Sequence, residues 1–128
     1  MIKKITPVIL IILVIFAFLK ITSKPQEAID DSQAKVILFW GEGCPHCENV
    51  EEYITDNKID EELIISRKEV YYNKQNQLLM SQKADRCPEI DQSAGMGVPM
   101  AYFVDEDKCH LGDTPIIEAI EEKLKSDQ

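Results

Sequence analysis

The segment of this chain that offers the most chemistry is Cys-Pro-His-Cys at 44–47. A Cys-x-x-Cys pair serves in proteins as half of a zinc site, as a structural disulfide or as a redox centre. A structural zinc site needs four ligands, and the other candidates, Cys87, Cys109 and His110, form no second pair with this spacing. A disulfide across so short a loop removes little chain entropy. The redox use is therefore favoured, and the other two stay open.

The residues around this motif predict that it lies between a β-strand and an α-helix. The run VILFW at 36–40 is apolar and rich in β-branched and aromatic residues, as in a strand buried on both faces. Pro45 suits the first turn of a helix, where its missing N–H costs nothing. Val50 and Ile54 follow at helical spacing, and Asn57 is a suitable helix end.

A place at the N-terminus of a helix would make Cys44 the reactive member of the pair. Unpaired backbone N–H groups and the helix dipole stabilise a thiolate there. Cys47, one turn into the helix, is the natural buried partner. His46 either adds positive charge or a hydrogen bond beside the thiolate, or is a spacer that faces solvent.

A second feature is the segment GMGVPM at 95–100, which contains Val98 and Pro99. Proline is rare within a strand but is permitted at its start. The X-Pro bond is the one peptide bond that readily becomes cis, and a cis proline is normally held in a turn. We therefore expect Pro99 at the start of a strand, after a tight loop that the glycines allow.

The rest of the chain predicts alternating strands and helices in the order β-α-β-α-β-β-α, without internal repeats. After the first strand and helix, the predicted elements are a strand at 63–72, a helix at 73–86, a loop at 88–97, strands at 100–104 and 108–111 joined by a turn at 105–107, and a last helix capped by Thr114 with Pro115 at its first position.

Together these features resemble the thioredoxin superfamily over about residues 35–125. The shared pattern is a strand that ends in Phe-Trp, Cys-x-x-Cys at the start of a helix, and Gly-Val-Pro before a β-hairpin and a terminal helix. The resemblance implies an α/β thioredoxin-like fold with a central mixed four-stranded sheet, in a domain that spans 35–128. The Pro-His pair and the valine before the proline resemble the strongly oxidising DsbA branch, whereas the compact length is closer to glutaredoxins.

The resemblance also implies roles for single residues. Cys44 would be the exposed attacking cysteine, Cys47 would resolve the mixed disulfide, and His46 would tune the pair. Pro99 would be a cis proline that faces the cysteines. Val98 would offer backbone groups to a substrate peptide, as a short added β-strand.

Trp40 and Pro45 would complete the substrate-binding surface.

Two positions depart from or modify the family pattern. Leu38 stands six residues before Cys44, where cytosolic thioredoxins carry a buried acid. Glu42 is either an ordinary exposed acid or a partial replacement for that acid as a proton shuttle. The chain also has no room for the large helical insert of DsbA.

The N-terminal segment differs from the rest of the chain in its composition, which is mainly apolar and lacks acidic residues. Two lysines precede a mainly apolar run at 5–19. A spanning helix needs about 20 residues, so this run suits either a short uncleaved anchor or the core of a signal peptide. The usual small-residue cleavage site is missing, which favours the anchor. We expect residues 1–22 to be a membrane anchor or signal and residues 23–34 to be a polar linker.

The charge of the chain argues against a nucleic-acid partner. The formal net charge is −9, and after residue 24 only 10 basic residues accompany 23 acidic ones, a balance of about −13. A surface this acidic repels phosphate backbones. We interpret the acidic residues as a solubilising surface.

Two cysteines remain outside the motif, Cys87 and Cys109. A disulfide between them would enclose 21 residues and stabilise the fold by about 3 kcal/mol. Disulfides persist outside the cytoplasm, which favours a structural disulfide here. A second redox pair and two buried free thiols stay open as alternatives.

The sequence thus predicts a membrane-tethered thiol–disulfide oxidoreductase, single-pass in the cell membrane, with its catalytic domain on the extracytoplasmic side. Its expected substrates are cysteine-containing proteins, and no metal or organic cofactor is required. If it is an oxidase, the resemblance implies a membrane quinone-linked redox partner of the DsbB or vitamin K epoxide reductase type. A copper or zinc carrier on the same scaffold and a non-catalytic membrane adaptor stay open as alternatives.

Overall fold

A computed structural model describes residues 31–127 of the chain. The expected anchor or signal at 1–22, and most of the expected linker, lie outside the described residues. Within the described part, no helix is both long and apolar enough to cross a membrane.

The apolar run at 36–40 forms strand β1, Val36–Trp40, at the centre of the fold. Its side chains alternate between two hydrophobic clusters on opposite faces of the sheet. Val36 and Leu38 pack into one cluster, and Ile37 and Phe39 pack into the other. A strand that is buried on both faces explains why this run is continuously apolar instead of alternating with polar residues.

Three further strands complete one mixed four-stranded sheet in the order β2-β1-β3-β4. Strand β2, Ile65–Glu69, is parallel to β1. Strands β3, Met100–Phe103, and β4, Lys108–Leu111, form a hairpin, and β3 is antiparallel to β1. The predicted mixed sheet is therefore confirmed.

Three α-helices cover the two faces of this sheet. They are α1, Pro45–Asp56, α2, Lys74–Ala84, and α3, Asp113–Ser126. Val50 and Ile54 of α1 and Ile116, Ala119 and Ile120 of α3 pack into the same cluster as Val36, whereas Met80 and Ala84 of α2 pack into the cluster of Ile37. The element order is β-α-β-α-β-β-α, as predicted, with short 3-10 turns at Ile59–Glu61 and Gln92–Ala94.

Several predicted boundaries were wrong. The second strand begins at Ile65 instead of 63, the second helix ends at Ala84 instead of 86, and the third strand ends at Phe103 instead of 104. Two further differences have a visible cause. The second strand was expected over 63–72 but ends at Glu69, whose carboxylate accepts hydrogen bonds from the backbone N–H groups of Tyr71 and Tyr72 and so turns the chain. Thr114 does not cap the last helix: α3 begins at Asp113, with Gly112 in the cap position and no side-chain cap. The Asp113 carboxylate instead accepts a hydrogen bond from the Thr114 N–H.

The packed region begins before residue 35, within the segment expected to be a linker. Ala34 is buried in the cluster of Ile37. Asp31 accepts a hydrogen bond from the Ser66 hydroxyl and forms an ion pair with Lys68, both on β2. The segment from 31 to 34 is therefore held against the sheet.

Candidate functional site

Cys44 lies where β1 passes into α1. The turn between them is closed by a hydrogen bond from the Cys44 N–H to the Gly41 carbonyl, 3.2 Å, and Gly43 adopts a positive φ of 72° that a residue with a side chain rarely takes. Cys44 is the N-cap of α1, and its Sγ accepts a hydrogen bond from the Cys47 N–H at 3.3 Å. The sulfur therefore occupies the place that a capping oxygen usually takes, where the amide groups favour negative charge.

Cys47 lies on the buried side of the same turn and is a free thiol, as is Cys44. Cys47 is 3% exposed and Cys44 is 8% exposed, so both residues are buried and the expectation that Cys44 is exposed was wrong. Burial, followed by the hydrogen bond and the charge of Cys44, raises the pKa of Cys47 to about 12. At neutral pH Cys47 therefore keeps its proton, which leaves Cys44 as the sulfur of this pair suited to nucleophilic attack.

The segment Val98-Pro99 lies directly beside Cys44, although 54 residues separate Cys44 from Val98. The Cys44 thiol points to the Val98 carbonyl oxygen, with Sγ and O 3.7 Å apart. The Val98-Pro99 bond is cis, and the Pro99 carbonyl accepts a hydrogen bond from the Gly112 N–H at 2.9 Å. Pro99 immediately precedes β3, so the pairing of β3 with β1 brings this loop to the cysteines.

His46 is held by an acid that sequence reasoning missed. Its Nδ1 lies 2.9 Å from the Asp113 carboxylate, at the start of α3, and Asn49 donates to the same oxygen at 2.7 Å. These contacts, with the hydrogen bond from the Thr114 N–H, hold the pKa of Asp113 well below its usual range. An acid that opens a helix after glycine is a visible signal, but its link to His46 depends on how α1 and α3 pack together.

The other expected binding residues lie next to the motif along the chain and differ in exposure. Trp40 is half-buried at the end of β1, and its carbonyl accepts from the Val70 N–H. Pro45 is exposed at the first position of α1. Glu42 is also exposed, while Leu38 packs in the core where cytosolic thioredoxins carry a buried acid.

A small cavity opens next to Val98. Its volume is about 260 Å³, and its walls come from the end of β2, from α2 and from the loop before β3: Val70, Tyr71, Gln77, Met80, Met96, Gly97 and Val98. The ring of Tyr71 lies directly on the backbone of Gly41, so that a Cβ atom added to Gly41 would come within 3.0 Å of it. Tyr71 thus touches both the turn before Cys44 and this cavity.

The second pair, Cys87 and Cys109, is separate from the first. The two form a disulfide with Cα atoms 5.7 Å apart, and both are buried in the cluster of Ile37. The bond ties the segment just after α2 to β4, one of the two edge strands of the sheet. Within residues 31–127 no three His, Cys, Asp or Glu side chains are grouped so that they could hold a metal ion.

Comparisons with known proteins found no match to this chain. No protein-family model matches the chain, and no curated protein or solved structure matches it either.

Proposed function

We propose that this chain is a thiol–disulfide oxidoreductase of thioredoxin-like fold that exchanges disulfides with cysteine-containing proteins through Cys44 and Cys47. The observation that carries the proposal is the position of the Cys44 sulfur. It caps α1, accepts the Cys47 N–H, and faces the Val98 carbonyl beside a cis proline. One reactive sulfur, one protonated partner and one adjacent stretch of backbone are the parts that disulfide exchange requires.

The proposed reaction begins with the Cys44–Cys47 disulfide. A substrate thiolate attacks the Cys44 sulfur, a mixed disulfide forms, and Cys47 leaves as a thiolate and takes up a proton. The second substrate thiolate then attacks the substrate sulfur of the mixed disulfide and expels Cys44. The substrate loses two electrons and forms its disulfide, and the protein gains them as the reduced pair. The reverse sequence reduces a substrate disulfide.

The raised pKa of Cys47 supports this division of labour. A thiol with a pKa of about 12 takes up a proton once it has left the disulfide, so Cys47 is protonated in the reduced pair. The thiolate of Cys44, by contrast, is supported by the Cys47 N–H and the start of α1. In the oxidation of a substrate, the substrate thiolate therefore brings its electron pair to the Cys44 sulfur, and Cys47 takes up the proton.

The substrate peptide is proposed to lie along the segment at Val98, with Trp40 and Pro45 on either side of the cysteines. Val98 is partly buried, and its carbonyl is already directed at the reacting sulfur. A peptide in extended conformation would pair with this backbone and place its cysteine at Cys44.

We propose an extracytoplasmic site of action, with the chain tethered to the cell membrane by residues 1–22. The apolar run at 5–19 supports a tether. The buried Cys87–Cys109 disulfide supports an oxidising compartment, because such bonds persist there. For an oxidase, the proposed electron acceptor is a quinone-linked membrane protein of the DsbB or vitamin K epoxide reductase type.

The decisive experiment traps the mixed disulfide. A Cys47→Ser variant, expressed as the full chain, should accumulate covalent adducts with partner proteins, because the resolving sulfur is gone while Cys44 still reacts. The adducts should disappear with reductant and be absent from the matched Cys44→Ser/Cys47→Ser variant. Absence of any Cys44-dependent adduct would contradict the proposal and favour a non-catalytic adaptor.

The direction of electron flow follows from the equilibrium of the Cys44–Cys47 pair with a glutathione buffer. A reduction potential of about −120 mV would match an oxidase of the DsbA kind. A reduction potential of about −270 mV would match a reductase of the thioredoxin kind. Metal analysis of the same reduced protein supplies the control, since tight stoichiometric copper or zinc would support the carrier function instead.

A further inference from the structure

We propose that Asp113 is a positioning residue for His46: it fixes which ring nitrogen carries the permanent proton and holds the imidazole beside Cys44. The inference rests on the proposed exchange function of Cys44 and Cys47. It assigns a role to the start of α3, an element that carries neither cysteine.

The geometry of the Asp113 carboxylate carries the first step. One of its oxygens accepts from the Asn49 side-chain amide at 2.7 Å and lies 2.9 Å from His46 Nδ1, while the other accepts from the Thr114 N–H at 2.9 Å. His46 and Asn49 both belong to the first turns of α1. Asp113 is thus a clamp between the active-site helix and α3.

The chemistry of a carboxylate carries the second step. The pKa of Asp113 is held well below its usual range by His46, Asn49 and the Thr114 N–H, so this group stays ionised. An ionised carboxylate can only accept hydrogen bonds. The Nδ1 of His46 must therefore carry a hydrogen, and the imidazole gains or loses its second proton at Nε2.

The position of the ring carries the third step. The side chain of His46 is 68% exposed, and among the described residues its only side-chain ion-pair contact is the one with Asp113, whose own side chain is 23% exposed. Without Asp113 an exposed ring would sample several rotamers. With it, the imidazole is held in the first turn of α1, the helix that Cys44 caps, and a positive ring at this place would favour the Cys44 thiolate and so the reduced pair.

A double-mutant cycle on the full chain tests this inference. The readout is the equilibrium of the Cys44–Cys47 pair with glutathione. Asp113→Asn should shift this equilibrium toward the disulfide by roughly two- to fivefold, as expected for loss of one exposed ion pair. The same substitution in a His46→Ala background should have no effect, because Asp113 acts through His46. Glu118→Gln, an equal change of charge at an exposed site on the same helix, is the matched control and should leave the equilibrium unchanged.

Two outcomes would overturn the inference. A shift of the equilibrium toward the dithiol that persists in the His46→Ala background would mean that Asp113 acts directly on Cys44 through its charge. An unchanged equilibrium in Asp113→Asn would mean that the clamp is structural only.

A spectroscopic measurement separates failure of this inference from failure of the proposed function. Nitrogen-15 NMR of His46, followed to the alkaline pH at which its ring signals show the neutral form, should show the Nδ1–H tautomer in the wild-type chain and its loss in Asp113→Asn. This readout needs no substrate. An Nε2–H tautomer in the wild-type chain would refute the positioning role even if trapping by Cys47→Ser succeeds. If trapping fails while the Nδ1–H tautomer is found, the proposed function fails and the geometry of the clamp stands.

Discussion

At the scale of single residues, the site depends on the contrast between two sulfur atoms one helical turn apart. Cys44 caps α1 and faces Val98, whereas Cys47 is 3% exposed and its pKa is raised to about 12. The same pair of residue types therefore has two different chemical characters, and the difference arises from position alone.

This contrast predicts selective alkylation of the reduced protein. With iodoacetamide at about pH 8, Cys44 should be modified well before Cys47, because burial raises the pKa of Cys47 to about 12 and keeps this thiol protonated. Peptide mass spectrometry measures the two sites separately. In urea, where the burial is lost, both should react, and equal modification of the folded protein would contradict the prediction.

The sequence revealed some residues of the site but not others. Cys44, Cys47 and Pro99 could be selected because their types and spacing are unusual, and the structure brings Cys44 and Val98-Pro99 into contact. Asp113 could not be selected as a partner of His46. The link between residues 67 positions apart depends on the packing of two helices, which local sequence patterns do not encode.

At the scale of elements, α1 positions the motif by packing against the sheet. Val50 and Ile54 are buried in the same cluster as Val36 and Leu38 of β1. The N-terminus of the helix is thereby held at the end of the strand, which is where Cys44 must lie to face Val98.

Truncation of a buried α1 side chain should therefore destabilise the fold. Ile54 is 1% exposed, and Ile54→Ala should lower the free energy of unfolding by about 2–5 kcal/mol, through lost burial and the cavity left behind. Urea unfolding followed by circular dichroism measures the change. Thr55→Ala, at the exposed neighbouring position, is the control and should change it by less than about 0.5 kcal/mol.

The types and order of the elements could be predicted, but several of their boundaries could not. Apolar runs such as VILFW indicate central strands, because a strand that is buried on both faces needs apolar side chains at every position. The end of β2 was missed because Glu69 turns the chain with its own carboxylate, although the apolar and aromatic residues continue to Tyr72. Local side-chain hydrogen bonds of this kind compete with strand pairing and leave little trace in hydrophobic patterns.

At the scale of the whole molecule, a covalent bond besides the backbone joins the layer of α2 to the sheet. The Cys87–Cys109 disulfide ties the segment that follows α2 to β4, an edge strand of the sheet. The sequence favoured this pairing without showing that the two Cα atoms come within bonding range, because that distance depends on the hairpin and α2 meeting on one side of the sheet.

Loss of this disulfide should weaken the whole fold. In a Cys44→Ala/Cys47→Ala background, which leaves a single pair to vary, the further change Cys87→Ala/Cys109→Ala should lower the free energy of unfolding by about 3 kcal/mol. The loss follows because the bond restricts the unfolded chain across a separation of 22 residues. Urea unfolding without reductant provides the measurement, and equal stability of the two proteins would show that the bond contributes nothing. Strong reductant, as a control, should destabilise only the protein that retains Cys87 and Cys109.

The contact between Tyr71 and Gly41 has a consequence for how this protein can change during evolution. Any residue larger than glycine at position 41 must displace the Tyr71 ring, since a Cβ there would come within 3.0 Å of it. The ring is half-exposed and can yield, and it also forms a wall of the cavity beside Val98. A single methyl group gained at position 41 would therefore move a wall of this cavity and alter the turn before Cys44, while the Cys-Pro-His-Cys motif itself stays unchanged.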